Sequence, residues 1–201
     1  KGFNMDTSGH VIAMLIFGYL LGSIPFATLF TMRAGVDLFE TGTGNPGAAN
    51  VFRRVDKRLG AVVFFADGMK GAAPVLIAWA MGAPQDLWFI GGSAAVIGHW
   101  YPLFNHFKGG AGLASGAGVV VAMMPIAGVV GLAIGMLVVA KVKSSGHGAL
   151  TGLIIIVAIA FLIDADWPIG SEWPASASAI GLATALFVRA WLRGWKPGRK
   201  D

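Results

Sequence analysis

Cysteine is absent from this chain of 201 residues, and charged residues make up only 12% of it. Without cysteine, disulfide bonds and thiolate metal sites are excluded. Soluble domains carry about 25% charged residues, so the deficit argues against a surface that faces water on all sides. The chain is instead 56% hydrophobic and contains 30 glycines, a composition typical of membrane helices that pack closely through small residues. We therefore predict an all-α integral membrane protein.

Acidic residues are also few, with 10 against 15 lysines and arginines, which gives a formal net charge of +5. A basic soluble protein with this balance would suggest a nucleic-acid partner. In a membrane protein, the excess is better explained by basic residues that decorate the cytoplasmic side of the bilayer. We expect membrane lipids and no nucleic acid among the partners.

Hydropathy predicts five clear spans, since a membrane helix needs roughly 20 apolar residues. They are Val11–Met32, Leu59–Met81, Leu87–Phe104, Leu150–Ile163 and Trp173–Leu192. The first is interpreted as a retained span and not as a signal peptide, because no small-residue cleavage pattern follows it. A further apolar run, Gly112–Ala140, is too long for one span and contains Pro125 near its middle, where a helix can end and another begin.

The basic residues decide how often that long run crosses the membrane. Thirteen of the 15 lie in four segments: the first long loop, the segment after the third span, the segment before Leu150, and the C-terminal tail. All four share one side only if Gly112–Ala140 crosses twice, as a hairpin that turns at Pro125. We therefore predict about seven transmembrane helices in a single polytopic membrane domain, residues 1–201, with the N-terminus outside and the C-terminus cytoplasmic.

The most informative polar segment is a glycine-rich loop, Gly42–Arg53, between the first two spans. Glycines allow backbone N–H groups to turn toward an anion, and an arginine adds a fixed positive fork. Asparagines in such a loop also serve as turn caps, an alternative that the sequence leaves open. The candidate substrate-binding residues here are Thr43, Gly44, Asn45, Asn50 and Arg53.

A second glycine-rich loop, Phe107–Gly112, follows the third span. Lys108, Gly109 and Gly110 precede a predicted helix, a combination that suits a phosphate group. The spacing of an ATP-binding Walker loop is absent. His99 lies eight residues before this loop. It is a candidate hydrogen-bond donor or proton acceptor, although a lone histidine is more often a packing residue.

Other polar residues have a structural reading beside the functional one. Ser23 precedes a proline within the first span, and its hydroxyl either repairs the helix or binds substrate. Asp67 and Lys70 lie three residues apart in an apolar helix and form either an internal ion pair or part of a polar pocket. The connector around Ser144 and Ser145 is more simply a solvated loop. No spacing resembles a zinc site, so neither a metal nor a cofactor is expected.

Three motifs taken in order resemble the PlsY family of bacterial membrane glycerol-3-phosphate acyltransferases. They are Gly22-Ser23-Ile24-Pro25-Phe26, the stretch from Gly42 to Val51, and Gly98-His99-Trp100-Tyr101-Pro102 with Phe107-Lys108-Gly109-Gly110. The resemblance implies seven helices in the bacterial inner membrane. It also implies acyl transfer from acyl phosphate to the sn-1 hydroxyl of glycerol 3-phosphate, which forms lysophosphatidic acid. By position, it implies a phosphate loop at Thr43, Asn45, Asn50 and Arg53, with His99, Lys108 and Arg53 catalytic and Ser23 contributing.

Two departures from the family pattern leave a second reading open. Thr43 stands where the family usually has serine, and Ala111 stands where its third motif usually has a second lysine. The first change keeps a hydroxyl, but the second removes a charge that would neutralise phosphate. The alternative to an active acyltransferase is a catalytically inactive relative that serves as a structural subunit of a membrane complex.

Overall fold

The computed structural model describes residues 7–162 and, further along the chain, residues 181, 184, 185, 188 and 189. All regular elements within these residues are helical, as the composition predicts. A short 3₁₀ turn, Leu103–Asn105, lies between the fifth and sixth helices. The helices are α1 (Thr7–Gly22), α2 (Phe26–Met32), α3 (Ala48–Arg54), α4 (Lys57–Ala80), α5 (Gln85–Trp100), α6 (Leu113–Met123), α7 (Pro125–Val142) and α8 (Ser145–Leu162).

Three of the described segments are long and apolar enough to cross a membrane: Ser8–Met32, Lys57–Ala80 and Pro125–Val142. The first is interrupted between α1 and α2, as the serine and proline in the sequence predict. At this break, the Ser23 hydroxyl donates a 2.7 Å hydrogen bond to the carbonyl of Tyr19, one turn back. Ser23 thus has the helix-repairing contact that the sequence offered as its structural reading.

Pro125 separates two helices, because α6 ends at Met123 and α7 begins at the proline. The proline ring fixes φ near the helical value and lacks an N–H group, so the first turn of a helix suits it. Helix α6 has 11 residues and is about 17 Å long, short of the roughly 30 Å hydrocarbon core. The predicted span Trp173–Leu192 lies outside the described residues, apart from five single positions.

Helix α8 begins at Ser145, five residues before the predicted start of the span at Leu150. The expectation of a solvated connector was wrong for this part of the chain, because Ser144 is buried and Gly146 and Gly148 are also buried within the first turns of the helix. Gly148 lies against the backbone of Gly135 on α7, where an added methyl group would come within 2.6 Å of the Gly135 carbonyl oxygen. Close packing at this point compensates for the low helix propensity of glycine.

Glycines bring the helices into backbone contact at two more interfaces. Gly18 on α1 meets Gly91 on α5, and Gly71 on α4 meets Ser115 on α6. A methyl group at Gly18 or Gly71 would collide with the opposite backbone. Such small-residue interfaces are how membrane helices approach closely, and they explain much of the glycine content.

Two buried clusters flank the region where the glycine loops meet. One packs α4, α5 and α6 together around Val75 and Val119. The other, around Val51 and Val63, attaches the first glycine loop and α3 to α4. Side chains such as Phe65 are largely exposed on the outer surface, as expected for helices that face hydrocarbon.

Candidate active site

The first glycine loop is organised by one buried amide, that of Asn50 on α3. Its nitrogen donates to the carbonyl of Thr41 at 2.8 Å and to that of Asn45 at 3.2 Å. Its oxygen accepts from the backbone N–H of Thr43 at 3.3 Å. Asn50 therefore fixes the backbone of the loop from its buried side. This role is close to that of a turn cap, which the sequence left open for the asparagines.

Positive backbone angles shape the same loop. Gly44 has φ of 69°, a left-handed conformation that glycine adopts at little cost, and its N–H donates to the carbonyl of Thr41 at 3.1 Å. Thr43 on the turn is exposed, whereas Asn45 is half-buried. The turn thus presents a hydroxyl and an amide side chain at the mouth of the loop.

Arg53, in the last turn of α3, contacts a residue far along the chain. Its Nη2 donates a 3.0 Å hydrogen bond to Oγ of Ser145, the first residue of α8. This contact brings the first glycine loop and the start of α8 to the same place. No signal in the sequence points to the pairing, because no local pattern links the two segments.

Asp67, Lys70 and His99 form a buried polar cluster between α4 and α5. Lys70 Nζ lies 2.9 Å from Asp67 Oδ1, and His99 Nδ1 lies 3.6 Å from the same oxygen. Lys70 Nζ also donates to the carbonyl of Ile24 at 2.9 Å, in the break between α1 and α2. The sequence left two interpretations of Asp67 and Lys70 open, an internal ion pair or part of a polar pocket. The structure has both features, because the pair is internal and Asp67 lines a cavity.

The second glycine loop packs directly on His99. The backbone of Gly109 lies against the carbonyls of His99 and Trp100, and a methyl group at Gly110 would lie 2.6 Å from His99 Nε2. Trp100 Nε1 donates a 3.0 Å hydrogen bond to the carbonyl of Ala111. These contacts require glycine at both positions and fix the loop just before α6 begins.

A cavity of about 1130 Å³ lies between the first glycine loop and helices α4, α6, α7 and α8. The first glycine loop and α3 contribute polar residues to its lining, and the residues from α6, α7 and α8 are mostly apolar or glycine. Among the candidate residues, those that line the cavity are Thr43, Gly44, Asn45, Asn50, Arg53 and His99. Ala111, Arg54 and Ser145 line it as well; in the sequence, Ala111 is a departure from the family pattern and Ser145 only part of a connector.

The remaining candidates lie elsewhere. Lys108, Gly109 and Gly110 line a much smaller pocket that shares Asp67 and His99 with the large cavity. Lys108 is exposed, and its backbone carbonyl accepts a 2.8 Å hydrogen bond from the Asn105 side chain. Ser23 is fully buried and lines neither space. The structure therefore brings the candidate residues other than Ser23 to two spaces that both include His99.

A residue of the C-terminal part also approaches this region. The guanidinium of Arg189 lies 4.5 Å from the Trp100 ring centre and 4.6 Å from that of Tyr101. Its Nη1 donates to the Tyr101 hydroxyl at 2.9 Å. In the sequence, Arg189 was one of several basic residues of the tail, and only the fold distinguishes it from them.

Within the described ranges, no group of three or more histidine, cysteine, aspartate or glutamate side chains is arranged to hold a metal ion. What the cavity offers is cationic and amide groups from the first glycine loop and α3 together with a largely apolar lining from α6, α7 and α8. This combination can bind an amphiphile that carries a phosphate head, with an imidazole beside the polar end.

Comparisons with known proteins agree with this arrangement. The family model described as glycerol-3-phosphate acyltransferase matches residues 12–194. A glycerol-3-phosphate acyltransferase of Geotalea daltonii is 39% identical over 152 residues, which cover 76% of this chain and 77% of the relative. The Aquifex aeolicus enzyme of that name is 47% identical over 114 residues, 56% of this chain and 59% of the relative.

A solved structure of the same family has the same fold. The crystal structure of PlsY (YgiH), an integral membrane glycerol 3-phosphate acyltransferase, in its glycerol 3-phosphate form, superimposes with a TM-score of 0.76 at 32% identity. The match covers 91% of this chain and 87% of that one. Its lysophosphatidic acid form superimposes with a TM-score of 0.73. This chain belongs to the glycerol-3-phosphate acyltransferase family of integral membrane proteins.

Proposed function

We propose that this protein transfers a fatty acyl group from acyl phosphate to the sn-1 hydroxyl of glycerol 3-phosphate, and so forms lysophosphatidic acid for phospholipid synthesis. The observation that carries the proposal is the two-part cavity. Arg53, Arg54 and the first glycine loop surround its polar end, and apolar side chains such as Phe64, Leu132 and Ile156 line the rest. An acyl phosphate has the same division into an anionic head and a hydrocarbon tail.

The relatives support the same substrates. One matching crystal structure is the glycerol 3-phosphate form of PlsY and the other is its lysophosphatidic acid form. These two molecules are the acceptor and the product of the proposed reaction. They share a phosphate that suits the arginines, and the product adds an acyl chain that suits the apolar groove.

The reaction needs positioning and charge neutralisation more than a covalent nucleophile. The sn-1 oxygen attacks the carbonyl carbon of the acyl phosphate, and a new carbon–oxygen ester bond forms. The bond between that carbon and the phosphate oxygen breaks, and inorganic phosphate leaves with the electron pair. His99, which lines the cavity beside the glycine loops, acts as a hydrogen-bond donor to the substrates.

Ala111 stands where the family usually has a second lysine, so the positive charge that neutralises the substrate phosphates must come from other residues. Within the described part of the chain, the lysines and arginines that line the large cavity are Arg53 and Arg54. Lys70 contacts Asp67 and a main-chain carbonyl instead. We assign neutralisation of the substrate phosphates to the two arginines, with Lys108 acting from the smaller pocket, which His99 also lines.

We also propose a membrane topology: seven spans in the bacterial inner membrane, with the N-terminus outside and the C-terminus cytoplasmic. The support is the clustering of basic residues in four segments that share one side only in this topology. Because the chain has no cysteine, a single cysteine can be introduced at Arg58 or at Lys141. Its reaction with a membrane-impermeant thiol reagent then shows on which side of the membrane that position lies. Both are expected to react only from the cytoplasmic side, and labelling of either from outside would contradict the topology.

Acyl transfer by the purified protein tests the function. The assay contains palmitoyl phosphate and radiolabelled glycerol 3-phosphate in detergent, and the product is lysophosphatidic acid. Arg53→Ala is expected to lower kcat/KM by at least about 100-fold, the cost of removing one group that stabilises developing charge. Arg58→Ala is the matched control, since Arg58 is exposed and lines neither pocket. Folded native protein that forms no product would favour the inactive structural subunit.

A further inference from the structure

The lining of the large cavity follows α8 for about three turns, from Ser145 to Ile156. The Ser145 hydroxyl accepts the 3.0 Å hydrogen bond from Arg53, so this lining begins beside the cationic groups. Ile156 lies about 17 Å further along the helix axis, since each residue of an α-helix adds about 1.5 Å. Within the described residues, Ile156 is the last position of α8 that lines the cavity.

Helix α7 runs antiparallel to α8 along the same stretch. Gly135 lies against Gly148. Gly131, one turn back on α7, lies against Gly152, one turn forward on α8, and an added methyl group at Gly131 would come within 2.8 Å of the Gly152 carbonyl oxygen. The two backbones are therefore in contact, and the path away from Arg53 along α8 leads toward the start of α7.

Two contacts close the cavity at the end that lies furthest along this path. Ile156 packs on Gly131, where an added methyl group would come within 2.5 Å of Cγ1 and 3.1 Å of Cδ1 of the isoleucine. Gly128, the cavity-lining residue closest to the start of α7, lies against the backbone of Val120 and Val121 on α6. The seam between α7 and α8 and the seam between α6 and α7 are thus both closed near the end of the lining.

A hydrocarbon chain is the occupant that suits this part of the cavity. The lining from α6, α7 and α8 is mostly apolar or glycine. The total volume of about 1130 Å³ is slightly above the range of about 300–1,000 Å³ that is usual for small-molecule sites. The proposed acyl donor and the proposed product each carry one acyl chain beside a phosphate. With that phosphate at Arg53, the chain extends along α8 toward Ile156.

We propose that Ile156 sets the upper limit of the acyl-chain length that this protein accepts. The proposal rests on the proposed function, in which the substrate phosphates bind at Arg53 and Arg54. A chain that ends at Ile156 is buried along its whole length, whereas any further methylene must displace this side chain or remain outside the cavity. The lost burial of two methylenes is expected to lower kcat/KM about tenfold.

The chain-length profile of acyl transfer tests the proposal. Values of kcat/KM are measured with lauroyl, myristoyl, palmitoyl, stearoyl and arachidoyl phosphate in one detergent, and those of each variant are divided by the native values. Because the partition of a substrate into micelles does not depend on the variant, these ratios report on the protein alone. Ile156→Ala is expected to lengthen the longest chain that is used efficiently by about two carbons and to raise kcat/KM for that chain about tenfold. Ile156→Phe is expected to shorten it by a similar amount.

The control is a second isoleucine of the same helix. Ile154 is 57% exposed and does not line the cavity, so Ile154→Ala is expected to keep the native profile. Ile156→Val removes one methyl group at little cost in stability and is expected to shift the profile as alanine does, but less. Loss of folded protein lowers turnover with every chain in the same proportion, so it cannot produce opposite shifts in Ile156→Ala and Ile156→Phe.

An unchanged profile in either Ile156→Ala or Ile156→Phe would overturn the proposal. Such a result is expected if the acyl chain leaves the cavity sideways past Phe65, which lines the cavity and is 70% exposed. Equal shifts in Ile154→Ala and Ile156→Ala would also overturn it, because the effect would then not depend on the end of the cavity.

Binding of lysophosphatidic acids with the same five chains gives a readout that does not depend on turnover. Isothermal titration calorimetry in detergent is expected to show that Kd follows the same dependence on chain length and on residue 156. Native protein that binds in this way but forms no product would reject the proposed catalysis and keep the role of Ile156. Active protein whose rates and Kd values ignore the Ile156 variants would reject the role of Ile156 and keep the proposed function.

Discussion

Arg53 and Ser145 are 92 positions apart in the chain, and the guanidinium of the first donates a 3.0 Å hydrogen bond to the hydroxyl of the second. Both residues line the large cavity. The contact connects the last turn of α3 to the first residue of α8. It therefore sets the position of the arginine to which we assign the substrate phosphate.

Removal of the Ser145 hydroxyl is expected to weaken binding of glycerol 3-phosphate. A hydrogen bond to a charged group contributes about 1.5–3 kcal/mol, so Ser145→Ala should raise KM by about tenfold or more. Ser145→Thr keeps the hydroxyl and should stay close to the native value. Steady-state kinetics at saturating palmitoyl phosphate measure the change, and an unchanged KM in the alanine variant would remove Ser145 from the site.

A lysine at position 111 is expected to increase activity. Ala111 lines the cavity close to where Trp100 holds its carbonyl, and a cation there would face the phosphate groups at the polar end. A charge-assisted contact made in the transition state would raise kcat/KM by about tenfold for 1.4 kcal/mol. Ala111→Met is the control of similar length without charge. Equal effects of lysine and methionine would show that the position does not face phosphate.

Loss of the Asn50 amide is expected to destabilise the first glycine loop. Asn50→Leu leaves the carbonyls of Thr41 and Asn45 and the N–H of Thr43 without their partner. Each buried polar group left unpaired costs about 1–3 kcal/mol, so thermal unfolding in detergent should move clearly to lower temperature. Asn50→Asp keeps the acceptor but loses both donors, and its unfolding temperature should lie between those of the native protein and the leucine variant. A leucine variant with native Tm would show that the loop does not depend on this side chain.

Arg189 is expected to stabilise the segment that carries His99. Its guanidinium stacks on Trp100 and Tyr101, and Trp100 in turn holds the carbonyl of the second glycine loop. Arg189→Met keeps the apolar stem but loses the cation–π contacts, at a cost of about 1–2 kcal/mol. Arg189→Lys should lose less than the methionine variant. Thermal unfolding gives the comparison, with the exposed Arg33→Met as control; equal shifts for Arg189→Met and Arg33→Met would contradict a specific role.

The sequence predicted those features that local chemistry decides. Pro25 and Pro125 each mark a helix boundary, because a proline ring has no N–H group for the preceding turn. Residues 42–47 and 107–112 form glycine-rich loops where the sequence indicated, on either side of α4 and α5. The prediction of a loop as far as Arg53 was wrong, because the chain from Ala48 onward forms α3. The predictions that succeeded each depend on the backbone preferences of a few consecutive residues.

Contacts between distant segments could not be predicted in the same way. The early start of α8 depends on Gly148 meeting Gly135 across an interface, and glycine alone argues against a helix there. The pairing of Arg53 with Ser145 follows from that start. Likewise, Ser23 had two readings in the sequence, and only the buried path of the chain shows its hydroxyl bonded one turn back.

The buried amide of Asn50 has a consequence for how the protein evolves. Its hydrogen bonds in the loop go to main-chain atoms of Thr41, Thr43 and Asn45, so replacement of those three side chains by any residue other than proline removes no partner. Mutations there can alter the chemistry at the cavity mouth while the scaffold beneath stays intact. Thr43 and Asn45, which line the cavity, can therefore change their side chains while the hydrogen bonds that Asn50 supplies remain.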